Sequence, residues 1–136
     1  MKFDLTNVTT SYVDKREGLI LPTESSPALA EFIGIMAGDG HLGNADGENH
    51  HLIHITSNMT ETSYADYVNK LTVSLFGLHF HTRIFLYNHT VNVVRKSQGI
   101  SNFLRAIGYE KRQCIMSIPE WIWNNALELK AFIRGI

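Results

Sequence analysis

Apolar residues crowd the stretch 29–36 at spacings that wrap a helix on more than one side: Leu29, Phe32, Ile33, Ile35 and Met36. Pro27 stands where a first helical turn tolerates proline, and Ser25 or Ser26 before it can cap the free amides. Gly34 and Gly38 lie four apart on one face. Glycine costs about 1 kcal/mol against alanine inside a helix, so the pair points to a second backbone approaching closely. The helix then runs into Gly38-Asp39-Gly40, in the simplest reading a turn that caps it. Yet Asp39 sits at the last turn, where the helix dipole disfavours a carboxylate. Such an acid calls for a compensating partner, and a divalent cation is one.

Downstream the pattern switches between the strand and helix periods. A turn-rich segment at 43–49 separates a short strand, 41–43, from a second, 50–57. In the second, Ile53 and Ile55 face one way and Leu52, His54 and Thr56 the other. Thr60-Glu61-Thr62 opens a helix carrying Tyr64, Tyr67, Val68, Leu71, Leu75 and Phe76 at helical spacing, and Gly77 stops it. In the strand 79–87, Phe80, Ile84 and Leu86 alternate with His79, His81, Arg83 and Phe85. Asn88-His89 turns the chain into a return strand, 90–97, with Val91 and Val93 on one side. Val94 breaks that alternation and leaves the core face of the strand open. Helices at 99–107 and 128–136 follow, and residues 1–26 form a polar, irregular lead-in without an assigned place. The order helix, two strands, helix, two strands, helix predicts an α+β fold, an antiparallel four-stranded sheet with helices on one face.

With 136 residues and 44% hydrophobic content, the chain has the size of one domain with a real core. No run approaches the ~18 apolar residues of a membrane span, and Met1-Lys2-Phe3-Asp4 opens no secretory signal. A soluble, intracellular protein without a membrane partner is expected, and the single Cys114 fits a reducing compartment. A net charge of −1 argues against a nucleic-acid binder. The layout answers that objection. Six basic residues (Arg83, Arg95, Lys96, Arg105, Lys111, Arg112) and one acid, Glu110, fall between 79 and 112, whereas ten of the 13 acids lie at or before Asp66. Such a separation suits one basic face.

Phe32-Ile33-Gly34-Ile35-Met36-Ala37-Gly38-Asp39-Gly40 resembles the signature of the LAGLIDADG homing endonucleases, with Ala37 where the family often carries an acid. A partial second copy, Phe132-Ile133-Arg134-Gly135-Ile136, follows Ile118-Pro119-Glu120-Trp121-Ile122, which is how the family introduces its second signature helix. The resemblance implies a lead-in at 1–26, a complete repeat at 27–128, and the first turns of a second signature helix at 129–136, short of a second acid. It implies an αββαββα module whose bare sheet face saddles the DNA major groove. The signature helices would pair at a pseudo-twofold through Gly34, Gly38 and Gly135. It further implies site-specific, Mg2+-dependent hydrolysis of double-stranded DNA, the activity behind intron or intein mobility. Asp39 would be the catalytic acid and metal ligand, with Lys111 or Arg112 supplying positive charge to the phosphate. Without a second acid, this stretch alone is expected to make no double-strand break, and two outcomes stand open for its glycine-lined helix: the stub at 129–136 covers it in part, or two chains pair as a homodimer, the outcome favoured here.

Recognition would then fall to His54, Thr56, His79, His81, Arg83, Arg95 and Lys96. Arg and Lys pair with guanine edges, and the others reach phosphate or adenine. A solvent-facing strand is polar without any such role. Two rival readings stand beside the nuclease. One is a non-cleaving relative, a splicing maturase or regulator using the same saddle, and the presence of Asp39 speaks for the nuclease over it. The other is a small α+β protein holding zinc among His50, His51, His54, His79 and His81. No Cys/His or His-Glu-x-x-His spacing accompanies those histidines.

Overall fold

The computed structural model describes residues 1–43, 51–58, 60, 62–112 and 115–136, with the side chains of Thr62, Arg112 and Ile115 outside that set. Most of the expected 43–49 turn, together with His50, Glu61 and Cys114, therefore lies outside the described residues. In chain order the elements are α1 (Tyr12–Arg16), α2 (Pro27–Asp39), β1 (Gly40–Leu42), β2 (Leu52–Asn58), α3 (Thr62–Phe76), β3 (His81–Phe85), β4 (Thr90–Lys96), α4 (Gln98–Ala106), β5 (Glu110–Arg112), β6 (Ile115–Ser117), α5 (Glu120–Trp123) and α6 (Ala126–Gly135). The fold is α+β, with an antiparallel four-stranded sheet in the order β1-β2-β4-β3 and a separate hairpin, β5-β6.

Helix α2 starts where proline and serine dictate. Ser26 Oγ accepts from the Leu29 amide at 3.1 Å, and Pro27 fills the first position, where no amide is needed. The helix is buried along one continuous run from Leu29 to Met36. At its end Gly40 is extended, with φ −93° and ψ 160°, and leads straight into β1. Glycine is required there for space, because a Cβ on Gly40 would stand 2.6 Å from Met36 Cα. Gly40 caps α2 in extended form and passes directly into the strand.

Facing residues on an antiparallel ladder put their side chains on the same side, so register sorts the sheet into two faces. Ile53, Ile55, Val91 and Val93 join one apolar cluster with α2, α3 and α4 through Phe32, Ile33, Val68, Phe76, Ile100 and Phe103. The opposite parity gives Leu52, His54 and Thr56 on β2, Asn92, Val94 and Lys96 on β4, His81, Arg83 and Phe85 on β3, and His41 on β1. The expected stripe Phe80-Ile84-Leu86 holds only in part. Phe80 is buried, but Ile84 and Leu86 are exposed, because β3 is an edge strand that the helices do not fully cover. In α3, Ala65 and Thr72 are buried where Tyr67 was expected to be, and Tyr67 is exposed.

The lead-in is integral to the core. Phe3 stacks edge-on against Phe103 and Trp121, at 6.0 and 5.4 Å between ring centroids. Asp14 of α1, 1% exposed, accepts from Ser97 Oγ and the Gly99 amide, both at 2.8 Å, and so caps α4 from another part of the chain. No helix among the described residues is long and apolar enough to cross a membrane.

Candidate functional site

Helices α2 and α6 meet backbone to backbone. A Cβ on Gly34 would overlap the Phe132 carbonyl oxygen, and one on Gly135 would overlap the Glu31 carbonyl oxygen. Glu31 precedes Gly34 by three residues, and Phe132 precedes Gly135 by three. One contact is therefore made twice with the helices exchanging parts, which is a local twofold relation. Gly38 lies against the Ile136 backbone, 3.5 Å from where its Cβ would be. The helix-pairing residues Gly34, Gly38 and Gly135 all meet opposite backbone. Beside the seam, Glu31 is buried and accepts from Tyr67 Oη at 2.6 Å and from Arg134 Nε at 3.2 Å. That hydrogen bond is the main cause holding the Tyr67 pKa above its ordinary value. Helix α6 begins at Ala126, earlier than expected, with Asn125 as its N-cap, and buries Ala131 and Phe132. Helix α6 thus lies along the glycine face, as in the outcome where the 129–136 stub covers it.

The seam runs toward the C-terminal end of α2, where Asp39 is exposed. The β5-β6 hairpin docks on this end. Tyr109, at its base, donates from Oη to the Met36 carbonyl at 3.4 Å, and burial pushes its pKa up to about 12. Lys111 donates from Nζ to the Gly40 carbonyl at 3.0 Å. Asp39 and Lys111 are therefore brought to the same helix end from residues 72 positions apart. Arg112 ends β5, and its side chain lies outside the described residues. Tyr109 and Glu31 carry no motif in the sequence. An isolated tyrosine or a single acid inside an apolar helix gives no spacing signal.

The bare face of the sheet begins next to Asp39, since Gly40 and His41 open β1. It holds five of the seven residues expected to read DNA: His54, Thr56, His81, Arg83 and Lys96. His79 lies ahead of β3, exposed, and its carbonyl accepts from Arg95 Nη1 at 2.7 Å. Arg95 is the clear departure. It pairs with Ile53 across the ladder, faces the helices, is 9% exposed, and makes an ion pair with Glu17. It braces the covered face and leaves the recognition set. The Glu17 carboxyl is held below its ordinary range chiefly by that hydrogen bond.

No family model and no curated protein matches the chain. Among the described residues no group of three or more His, Cys, Asp or Glu side chains is gathered for a metal ion. The zinc cluster of the rival reading is divided: His81 and His54 stand on strands separated by β4, and His50 lies outside the described residues. A different pair takes its place. His41 and His54 face each other across β1 and β2. Sequence reasoning missed His41 because its partner depends on the register of a hairpin whose turn has no strict signature.

Proposed function

We propose that this chain is a LAGLIDADG-type homing-endonuclease module that binds double-stranded DNA on its bare sheet face and hydrolyses phosphodiesters with Mg2+. The observation that carries the reading is the reciprocal glycine contact, with Asp39 at the end of the seam and Lys111 bound to the carbonyl of the next residue, Gly40. An exposed carboxylate is a hard oxygen ligand of the kind Mg2+ takes while keeping most of its waters. Asp39 would hold the ion, which when bound lowers the pKa of a water and neutralises charge on the leaving oxygen. Lys111, fixed on the Gly40 carbonyl, would direct its charge toward the scissile phosphate. The twofold relation carries Asp39, five residues after Gly34, onto a position five after Gly135. A second acid there would complete a site with one carboxylate per strand.

Basic residues on the same face, Arg83 and Lys96, would hold the phosphates, while His54, Thr56 and His81 lie where base edges pass. In a full-length form that supplies the second acid, Asp39→Asn should leave duplex binding intact and remove Mg2+-dependent cleavage, because it deletes a metal ligand and little shape. Cleavage by the variant at the wild-type rate would sink the assignment. With the second acid supplied, tight binding and no cleavage by the wild type would favour the maturase or regulator reading instead.

A further inference from the structure

His41 and His54 are register partners on neighbouring antiparallel strands, with ring centroids 5.2 Å apart and planes tilted by 42°. Both stand on the face that carries no helices, His41 exposed and His54 half-buried. In a zinc chelate the metal lies about 2.1 Å from each ligating nitrogen and about 3.2 Å from each ring centroid, so tetrahedral geometry separates two centroids by about 5.2 Å. The observed spacing is the chelate spacing. We propose that His41 and His54 form a zinc site, with two imidazoles from the sheet and two waters completing a tetrahedral shell.

The surroundings favour ligation. The backbone is fixed on both sides of the pair by the Gly40–Ile55 and Leu42–Ile53 pairings, and Lys111 ties down the Gly40 carbonyl. The ligands thus stand on strands and need little ordering when the ion arrives. The other ionisable groups on this face are His81, Arg83 and Lys96, and none of its strand positions is an acid. Two imidazole donors with no carboxylate favour zinc over oxygen-seeking Mg2+ or Ca2+. The site is independent of the nuclease reading, since it needs neither Asp39 nor DNA.

Calorimetric titration of the whole chain with Zn2+ alone, near neutral pH, tests it. One saturable site is expected, and His41→Gln and His54→Gln should each weaken it by at least about tenfold, since even the loss of an outer-shell partner costs that much. His81→Gln, two strands away on the same face, should leave it unchanged. His41 is exposed, so its variant remains informative even if His54→Gln fails to fold, which circular dichroism would reveal. Absence of saturable zinc binding, binding that survives His41→Gln, or an equal loss in His81→Gln would overturn the proposal.

Discussion

Strand β4 shows how the two faces of the sheet differ. Val91, Val93 and Arg95 point toward the helices, and Asn92, Val94 and Lys96 point away. Each face accommodates one residue of the opposite polarity. Arg95 is held on the covered face by Glu17 and the His79 carbonyl. Val94, 7% exposed on the bare face, lies outside the main apolar cluster and between its register partners His54 and His81. The polarity of a single side chain is negotiable when a partner is at hand. The period of two is not, because the backbone sets it. The charge available to a ligand on the bare strands is therefore that of Arg83 and Lys96, without Arg95.

Charge reversal gives the largest contrast between the faces. Arg95→Glu would put a carboxylate at a buried position beside Glu17 and leave the His79 carbonyl without its donor, and should cost at least about 1–3 kcal/mol, the range for stranding a buried polar group. Arg83→Glu, exposed, should stay within about 0.5 kcal/mol. Urea denaturation of both variants measures the difference, and equal stabilities would erase the distinction between the faces.

The seam that backs the covered face comes next. Gly34→Ala should gain up to about 1 kcal/mol in helix propensity, yet its Cβ meets a carbonyl of α6. Overpacking of that kind costs roughly 1–3 kcal/mol. A net loss in thermal or chemical stability is expected, and a stabilised variant would mean that α2 and α6 stand farther apart.

Acid titration gives the smallest effect and separates the faces by pH window. The His54 pKa is lowered on folding, so its contribution is full above the unfolded-state value of about 6.5 and is lost as pH falls through the folded-state value. The Glu17 pKa is also lowered, so its contribution is present above about 4.5 and lost in stronger acid. His54→Gln should flatten the stability profile in the mildly acidic window alone, and Glu17→Gln in the more acidic one alone. A shared window would break the assignment.

Much of this was legible in the chain because it rests on local rules. Ser26, Pro27 and the glycines of α2 specify a capped helix with a close-packed face, and the alternation of Ile53 and Ile55 assigns β2. What stayed hidden depends on distant partners. Arg95 reads as a surface cation until Glu17 is brought to it from 78 residues away. Asp14 caps a helix 85 residues downstream, so the lead-in gave no local sign of belonging to the core. The exposure of Ile84 and Leu86 follows from β3 lying at the edge, and strand order is not written in the alternation. The β5-β6 hairpin, with three residues in each strand, is too short for periodicity to register. For the same reason Lys111 was legible as a basic residue and its docking on Gly40 was not.

The most direct test of the central claim is duplex binding on the bare face, read by fluorescence anisotropy across a salt titration. Affinity should fall steeply with rising salt, as counterion release requires. Arg83→Glu and Lys96→Glu should each weaken binding across sequences, and neutralising either residue should shallow the log–log slope by about one phosphate contact. Binding that ignores both salt and these substitutions, or no binding to duplex DNA at all, would contradict the account.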